Sequence, residues 1–258
     1  MIVEGQQFPF VILVLFWGLV VYVGWTASKG KPLQLRRLVQ IDAIDEAVGR
    51  CAEMGRPCVH FPGSYSTAQK AWLTVALAGI NCLRHVSYQC ATAGVPFYVG
   101  SITLDLIPLM DDVVRSSYLE AGHIDDYDSA EQIRYIGSSG QTSQAPMVLR
   151  LKPAYVSMIG SYSSDFIFGA EPAKRVGAVV ISGDARMSQQ ATMAVTSDYF
   201  LCGEEVYAAS AYITKDPLLL GQVVGQDFCE FIFILMLIVG FILSGIGFEN
   251  VINTLLSI

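Results

Sequence analysis

The chain has no lysine or arginine before Lys29 and none after Lys215, so all sixteen of its basic residues lie in the middle of 258 residues. It carries no charge of either sign from Gly5 to Ser28, and none again from Phe231 to Phe248. With a net charge of −7, nonspecific attraction is excluded as the force that would hold it to nucleic acid or to an anionic lipid surface. Cysteine occurs six times, at Cys51, Cys58, Cys82, Cys90, Cys202 and Cys229, without a C-x-x-C pair. That removes the usual dithiol redox motif and the usual zinc spacing, leaving these thiols as small core residues. G-x-x-x-x-G-K-[ST], G-x-G-x-x-G and G-x-S-x-G are all missing. The nearest approach, Gly137-Ser138-Ser139-Gly140-Gln141-Thr142, has no lysine to reach a phosphate.

What the two charge-free stretches do have is length. Phe231 to Phe248 is eighteen residues of FIFILMLIVGFILSGIGF, and its counterpart centres on Phe8 to Trp25. As helices they reach about the ~30 Å thickness of a bilayer's hydrocarbon core. Lys29, Lys31, Arg36 and Arg37 follow the first run, and the positive-inside rule then predicts both termini outside and the middle of the chain in the cytoplasm. The first seven residues contain no basic n-region, so the run reads as an uncleaved signal anchor. The expected organisation is an N-terminal transmembrane helix over 1–28, a cytoplasmic domain over 29–226, and a second transmembrane helix with a short outer tail over 227–258. Gly240 and Ser244 make a small-xxx-small spacing that permits close helix approach, with Gly18 or Gly24 of the first run, or another copy, as the partner. Neither charge-free run holds an ionisable residue at mid-membrane, which argues against a transport pathway.

Between the runs, periodicity alternates. Helical spacing from Arg36 to Cys51, stopped by Gly55, gives way to a short β-prone run at Pro57 to Ser64, then to a charge-poor helix over Ser66 to Ala93. Strands follow at Val95 to Ser101, Ile133 to Ser139, Tyr155 to Ser161, Gly177 to Asp184 and Asp198 to Gly203. Helices lie between them and after the last, and His123 to Gln132 reads as a solvated loop. Gly169 and Pro172 weaken the helix expected over Ser163 to Arg175. This alternation predicts an α/β, Rossmann-like domain, a mostly parallel sheet with helices on both faces, beside the two transmembrane helices.

Nearly every strand ends in glycine and a small polar or acidic residue: Gly63 and Ser64, Gly100 and Ser101, Gly137 and Ser138, Gly160 and Ser161, Gly183 and Asp184, Gly203 and Glu204. Parallel sheets bind ligands outside these carboxyl ends, so this rim is the candidate pocket. Turn and capping chemistry alone calls for the same residues, and both explanations stand. Asp184 and Glu204 would be the first suspects for an acid or metal role. No catalytic residue, metal site or cofactor is assigned. His60, His85 and His123 lack the elbow or base geometry that catalysis needs, and Cys58 with His60 supplies only two ligands.

The block Ile41-Asp42-Ala43-Ile44-Asp45-Glu46-Ala47-Val48-Gly49-Arg50, the run Glu53-Met54-Gly55-Arg56-Pro57 and the stretch Gly203-Glu204-Glu205-Val206-Tyr207-Ala208-Ala209-Ser210-Ala211-Tyr212 resemble an uncharacterised prokaryotic membrane-protein family, a domain of unknown function. The resemblance runs over most of residues 36 to 247. It implies an α/β domain between two hydrophobic segments and carries no activity with it. The functional expectation is a non-catalytic, membrane-anchored subunit of a prokaryotic cell membrane, partnered by lipid, by itself or by other membrane subunits. The alternative is a tethered domain that binds or hydrolyses a nucleotide-like or other anionic small molecule at the rim.

Overall fold

Glycines and prolines cut the chain into elements much as its periodicity predicts. The computed structural model describes residues 7–29, 37–64, 73–137 and 140–245. In chain order the elements are α1 (Gln7–Ser28), α2 (Val39–Met54), β1 (Cys58–His60), α3 (Leu73–Ala93), β2 (Phe97–Ser101), α4 (Ile107–Glu120), α5 (Ser129–Gln132), β3 (Ile133–Tyr135) and α6 (Gly140–Leu151). There follow β4 (Tyr155–Ile159), α7 (Ile167–Arg175), β5 (Val179–Asp184), α8 (Met187–Thr196), β6 (Tyr199–Cys202), α9 (Glu205–Thr214) and α10 (Pro217–Gly245). Contacts divide them into two units, Arg37–Thr214 and a second made of Met1–Arg36 with Lys215–Ile258.

In the first unit six strands form one sheet in the order β3-β2-β1-β4-β5-β6. Every neighbouring pair is parallel. Side chains alternate across it, as a pleated strand requires. Cys58, Phe97, Tyr155, Ile159 and Ile181 point to the face covered by α2, α3, α4 and α9. Val59, Val156, Met158 and Val180 point to the face covered by α6, α7 and α8. The doubly covered, all-parallel sheet is the α/β architecture expected from the alternation.

Local chemistry explains the element ends. In α2 the buried stripe Ile41, Ile44, Ala47, Val48 and Cys51 faces the sheet. Gly55 ends the helix at φ 61°, a left-handed conformation that glycine adopts without strain, and its N–H donates to Ala52 O. The poverty of charge in α3 has a packing cause, since it lies among α2, α4 and α9 and buries residues from Val75 to Ala91. Residues 65–72, expected to begin that helix, lie outside the described residues. Gly169 and Pro172 do not break α7. A Cβ at Gly169 would stand 2.6 Å from Gln144 Oε1 and 2.7 Å from Met158 Cε, so the glycine answers to tight packing. The segment from His123 to Gln132 is more ordered than a solvated loop. It holds a 3-10 turn at Ile124–Asp126 and α5, whose N-cap Asp128 accepts from Ala130 N at 2.9 Å. Asp111 accepts from Tyr127 Oη at 2.6 Å and from Ser129 Oγ, and these hydroxyls hold its carboxyl below the ordinary carboxylate range.

In the second unit α1 and α10 are both long and apolar enough to cross a membrane. α10 begins at Pro217, well before the boundary at 227 read from charge alone. Proline suits a first helical turn, and Asp216 caps it by accepting from Leu218 N at 2.7 Å. The two helices run antiparallel in contact. A Cβ at Gly221 would meet Gly24 Cα at 2.5 Å, one at Gly225 would meet Val20 Cα at 3.1 Å, and the Phe16 and Phe233 rings stand 5.6 Å apart.

Candidate functional site

In a sheet of order 3-2-1-4-5-6 the order in which strands are added reverses between β1 and β4, and their carboxyl ends are where ligands of such folds sit. Here the two strands stay joined beyond their last regular residues. Phe61 N donates to Ser157 O at 2.9 Å, Gly63 bridges Ser161, and Ser64 N donates to Ser161 O at 2.9 Å. Only glycine tolerates so close an approach. A Cβ at Gly160 would lie 1.9 Å from Pro62 O, and one at Gly63 would lie 2.3 Å from Ser161 O. From the helix side, a Cβ at Gly79 of α3 would meet Ile159 O at 2.7 Å. Main chain thus fills the space between the two strand ends.

The acidic groups beside this seam are held by the chain itself. Asp165 accepts from Ser64 Oγ at 2.6 Å, from Ser163 N at 2.9 Å and from Gln144 Nε2 at 3.5 Å, and is 5% exposed. Asp184, fully buried at the end of β5, accepts from Tyr162 N and Arg186 N, each at 2.9 Å. Arg186 reaches back to donate to Tyr162 O, and the Tyr162 hydroxyl donates to Phe61 O. Burial pushes the Asp184 carboxyl up to about 6, against the pull of these backbone donors. The two carboxylates, Tyr162 and Arg186 tie together the loops after β1, β4 and β5.

The other rim residues are spread along the edge. Ser101 Oγ donates to Thr103 O at 2.8 Å, closing the turn after β2, and Gly100 leaves room for the Phe61 ring, which a Cβ would approach to 2.5 Å. Gly137 has Ser143 Oγ at 3.3 Å from its would-be Cβ, while Ser138 lies outside the described residues. Gly183 makes way for Leu201 and Val206, and Gly203 turns at φ 58°. At this last turn Glu205 is the capping carboxylate. It accepts from Cys202 N at 3.0 Å and Gln40 Nε2 at 3.3 Å, whereas the Glu204 backbone carbonyl accepts from Tyr207 N and Ala208 N. Asp184 ends β5 and Glu204 follows β6, the neighbouring strand. No group of three or more metal-ligating side chains occurs among the described residues.

His60 and Cys58 share a face, as period two requires. His60 Nδ1 is 2.9 Å from Ser157 Oγ, and its Nε2 is buried with no hydrogen-bond partner among the described residues. Desolvation pushes the imidazole down to about 3, so it is neutral at physiological pH. Ser161 Oγ and Gln144 Oε1 are buried without a partner as well. His85 pairs with Asp45 at 3.1 Å and His123 with Asp126 at 3.3 Å, both on the surface.

Sequence reading had missed Asp165, Gln144 and Tyr162. Asp165 accepts from the N–H two residues before it, the reverse of an Asx turn, so the local sequence carried no recognisable signal for it. Among the candidate packing residues, Gly24 lies against Gly221. A Cβ at Gly18 or Gly240 would meet nothing within 4 Å, and the Ser244 side chain is outside the described set.

Residues 2–255 match the model of a family described as "Domain of unknown function (DUF6754)". The chain belongs to that family. No curated protein and no solved structure matches it. Family membership extends across both apolar helices as well as the α/β domain, so the two units travel together in the DUF6754 domain.

Proposed function

We propose that this DUF6754 chain is a non-catalytic, membrane-anchored subunit that assembles with itself or with other membrane proteins. The observation that carries this reading is the occupied rim. The groups that a ligand would need at the β1 and β4 ends are engaged in holding the chain's own loops together. Two buried carboxylates there also oppose an anion. Lys29, Lys31, Arg36 and Arg37 favour a cytoplasmic α/β domain with both termini outside, in a prokaryotic cell membrane. The lipid bilayer and other membrane-embedded chains are then its partners. Extraction in mild detergent followed by mass determination tests the reading. A multimer or a stoichiometric complex is expected, and a bare monomer with nothing bound sinks it.

One observation favours the second reading, a rim that takes a nucleotide-like or other anionic small molecule. The switch point between β1 and β4 is where such folds bind, and Ser161 Oγ is buried there with no hydrogen-bond partner among the described residues. A thermal-shift screen of the full chain against nucleoside phosphates separates the two. Saturating ligand at a hundred times its Kd would add about 2.7 kcal/mol to stability. No shift is expected.

A further inference from the structure

The α1 and α10 pairing sets the two apolar runs out of register. Gly24 packs on Gly221, Val20 on Gly225, and Phe16 lies beside Cys229 and Phe233. Phe16 is at the centre of the first charge-free run, so Glu230 stands level with the middle of α1 and Asp227 between the levels of Val20 and Phe16. The charge-free run of α10 begins only at Phe231. A bilayer centred on α1 therefore contains both carboxylates, although each run read alone is free of charge. A carboxylate at that depth costs about 2.5–3.5 kcal/mol on insertion scales and is found facing protein or water rather than lipid.

At 100° per residue, Gly221 and Gly225 take the side of α10 that faces α1, Asp227 and Glu230 turn away from it, and Gln226 lies on the flank beside Glu230, at the edge of the groove that α10 forms with Phe16 and Val20. All three are exposed, with Gln222 one turn before them. Gln226 Nε2 is 3.4 Å from Glu230 Oε1, and neither carboxylate makes an ion pair with a described residue. α1 has no charge to offer. The patch contains both amide donors and carboxylate acceptors, one helical turn apart, which makes it complementary to itself.

We infer that this patch is the face on which a second copy of the chain docks within the membrane. A two-fold axis along the membrane normal brings equal depths together, so that Gln226 of each copy donates to Glu230 of the other and both carboxylates leave lipid. This rests on the subunit reading above and specifies its interface.

The test uses the full chain with Cys202→Ser and Cys229→Ser, carrying either Gln226→Cys or Phe228→Cys, oxidised in membranes with copper phenanthroline. Phe228 is 53% exposed, at similar depth and on the opposite side of α10 from Glu230. Gln226→Cys is expected to give mostly disulfide-linked dimer and Phe228→Cys little. In a companion variant, Gln226→Leu with Glu230→Leu, the glycine contacts with α1 are untouched and membrane insertion is checked by alkaline extraction. Its dimer fraction is expected to fall about tenfold, the effect of losing roughly one to two intramembrane hydrogen bonds. Cross-linking through Phe228→Cys, or dimers that survive the double leucine change, would place the interface elsewhere and overturn the inference while leaving the subunit reading intact. A complex with a different protein and no self-linking would do the same. Monomers throughout would overturn both.

Discussion

The α/β domain and the α1 and α10 pair handle polar groups in opposite ways. In the domain, the carboxylates beside the strand ends are turned inward and held by backbone and hydroxyl donors, as at Asp165 and Asp184. On α10, Gln222, Gln226, Asp227 and Glu230 stand outward among exposed side chains that are otherwise apolar. Each arrangement suits a different solvent. Water outside lets a domain close its polar groups within itself, whereas an apolar surround makes every outward polar group a demand for another chain. Under the proposed function, the contrast gives self-sufficiency to the domain and association to the hairpin.

Glycine substitutions sharpen this contrast most. Gly160→Ala forces a Cβ to within 1.9 Å of the Pro62 carbonyl, a main-chain atom that cannot step aside. A loss of more than about 4 kcal/mol is expected, seen as failure to yield folded protein or as a collapsed melting transition by circular dichroism. In the hairpin, Gly221→Val meets Gly24 Cα at 2.5 Å, and the helices have room to separate. About 2 kcal/mol is expected there, measured by unfolding in a denaturing-detergent titration. Gly240→Val has nothing within 4 Å and is expected to leave that titration unchanged. Equal effects at Gly221 and Gly240 would mean that the helices pair along another face.

Much of this was legible beforehand for plain reasons. Strand and helix periods differ, so Val179–Asp184 and Val39–Met54 announce themselves, and Gly55 marks a helix end because few other residues turn left-handed there. Gly240 with Ser244 had the spacing of a packing motif, but Gly221 and Gly225 have the same i, i+4 spacing and make the contact with α1. Spacing specifies that close approach is possible; the side chains around it decide where. Asp227 and Glu230 precede the charge-free run that begins at Phe231, yet lie inside α10, which starts at Pro217. Only the pairing of α10 with α1 set their depth. At the rim, Gly63 and Ser64 were found from sequence, yet their partners Ser161 and Asp165 come from a loop about a hundred residues away, a separation no local pattern encodes.

The smallest effect tests whether the rim is as dry as its geometry requires. Asp184→Asn keeps the shape of the side chain but replaces one of two acceptors facing the N–H groups of Tyr162 and Arg186, and is expected to cost about 1–2 kcal/mol at pH 7.5. The carboxyl's folded pKa is raised to about 6 from 3.8, so between those values the folded state holds more protons than the unfolded state. Its contribution to stability is then full below the unfolded value and is lost as pH rises through about 6. Asparagine does not titrate. The gap between the two proteins should therefore widen by about 1 kcal/mol from pH 7.5 to pH 5. His60, held down to about 3, loses stability for the fold as pH falls below its unfolded value, but it does so in both proteins and cancels from the difference. Denaturant titrations at the two pH values measure the gap. A gap that stays constant would mean that water reaches Asp184, that the seam between β1 and β4 opens, and that the rim is available to a ligand after all.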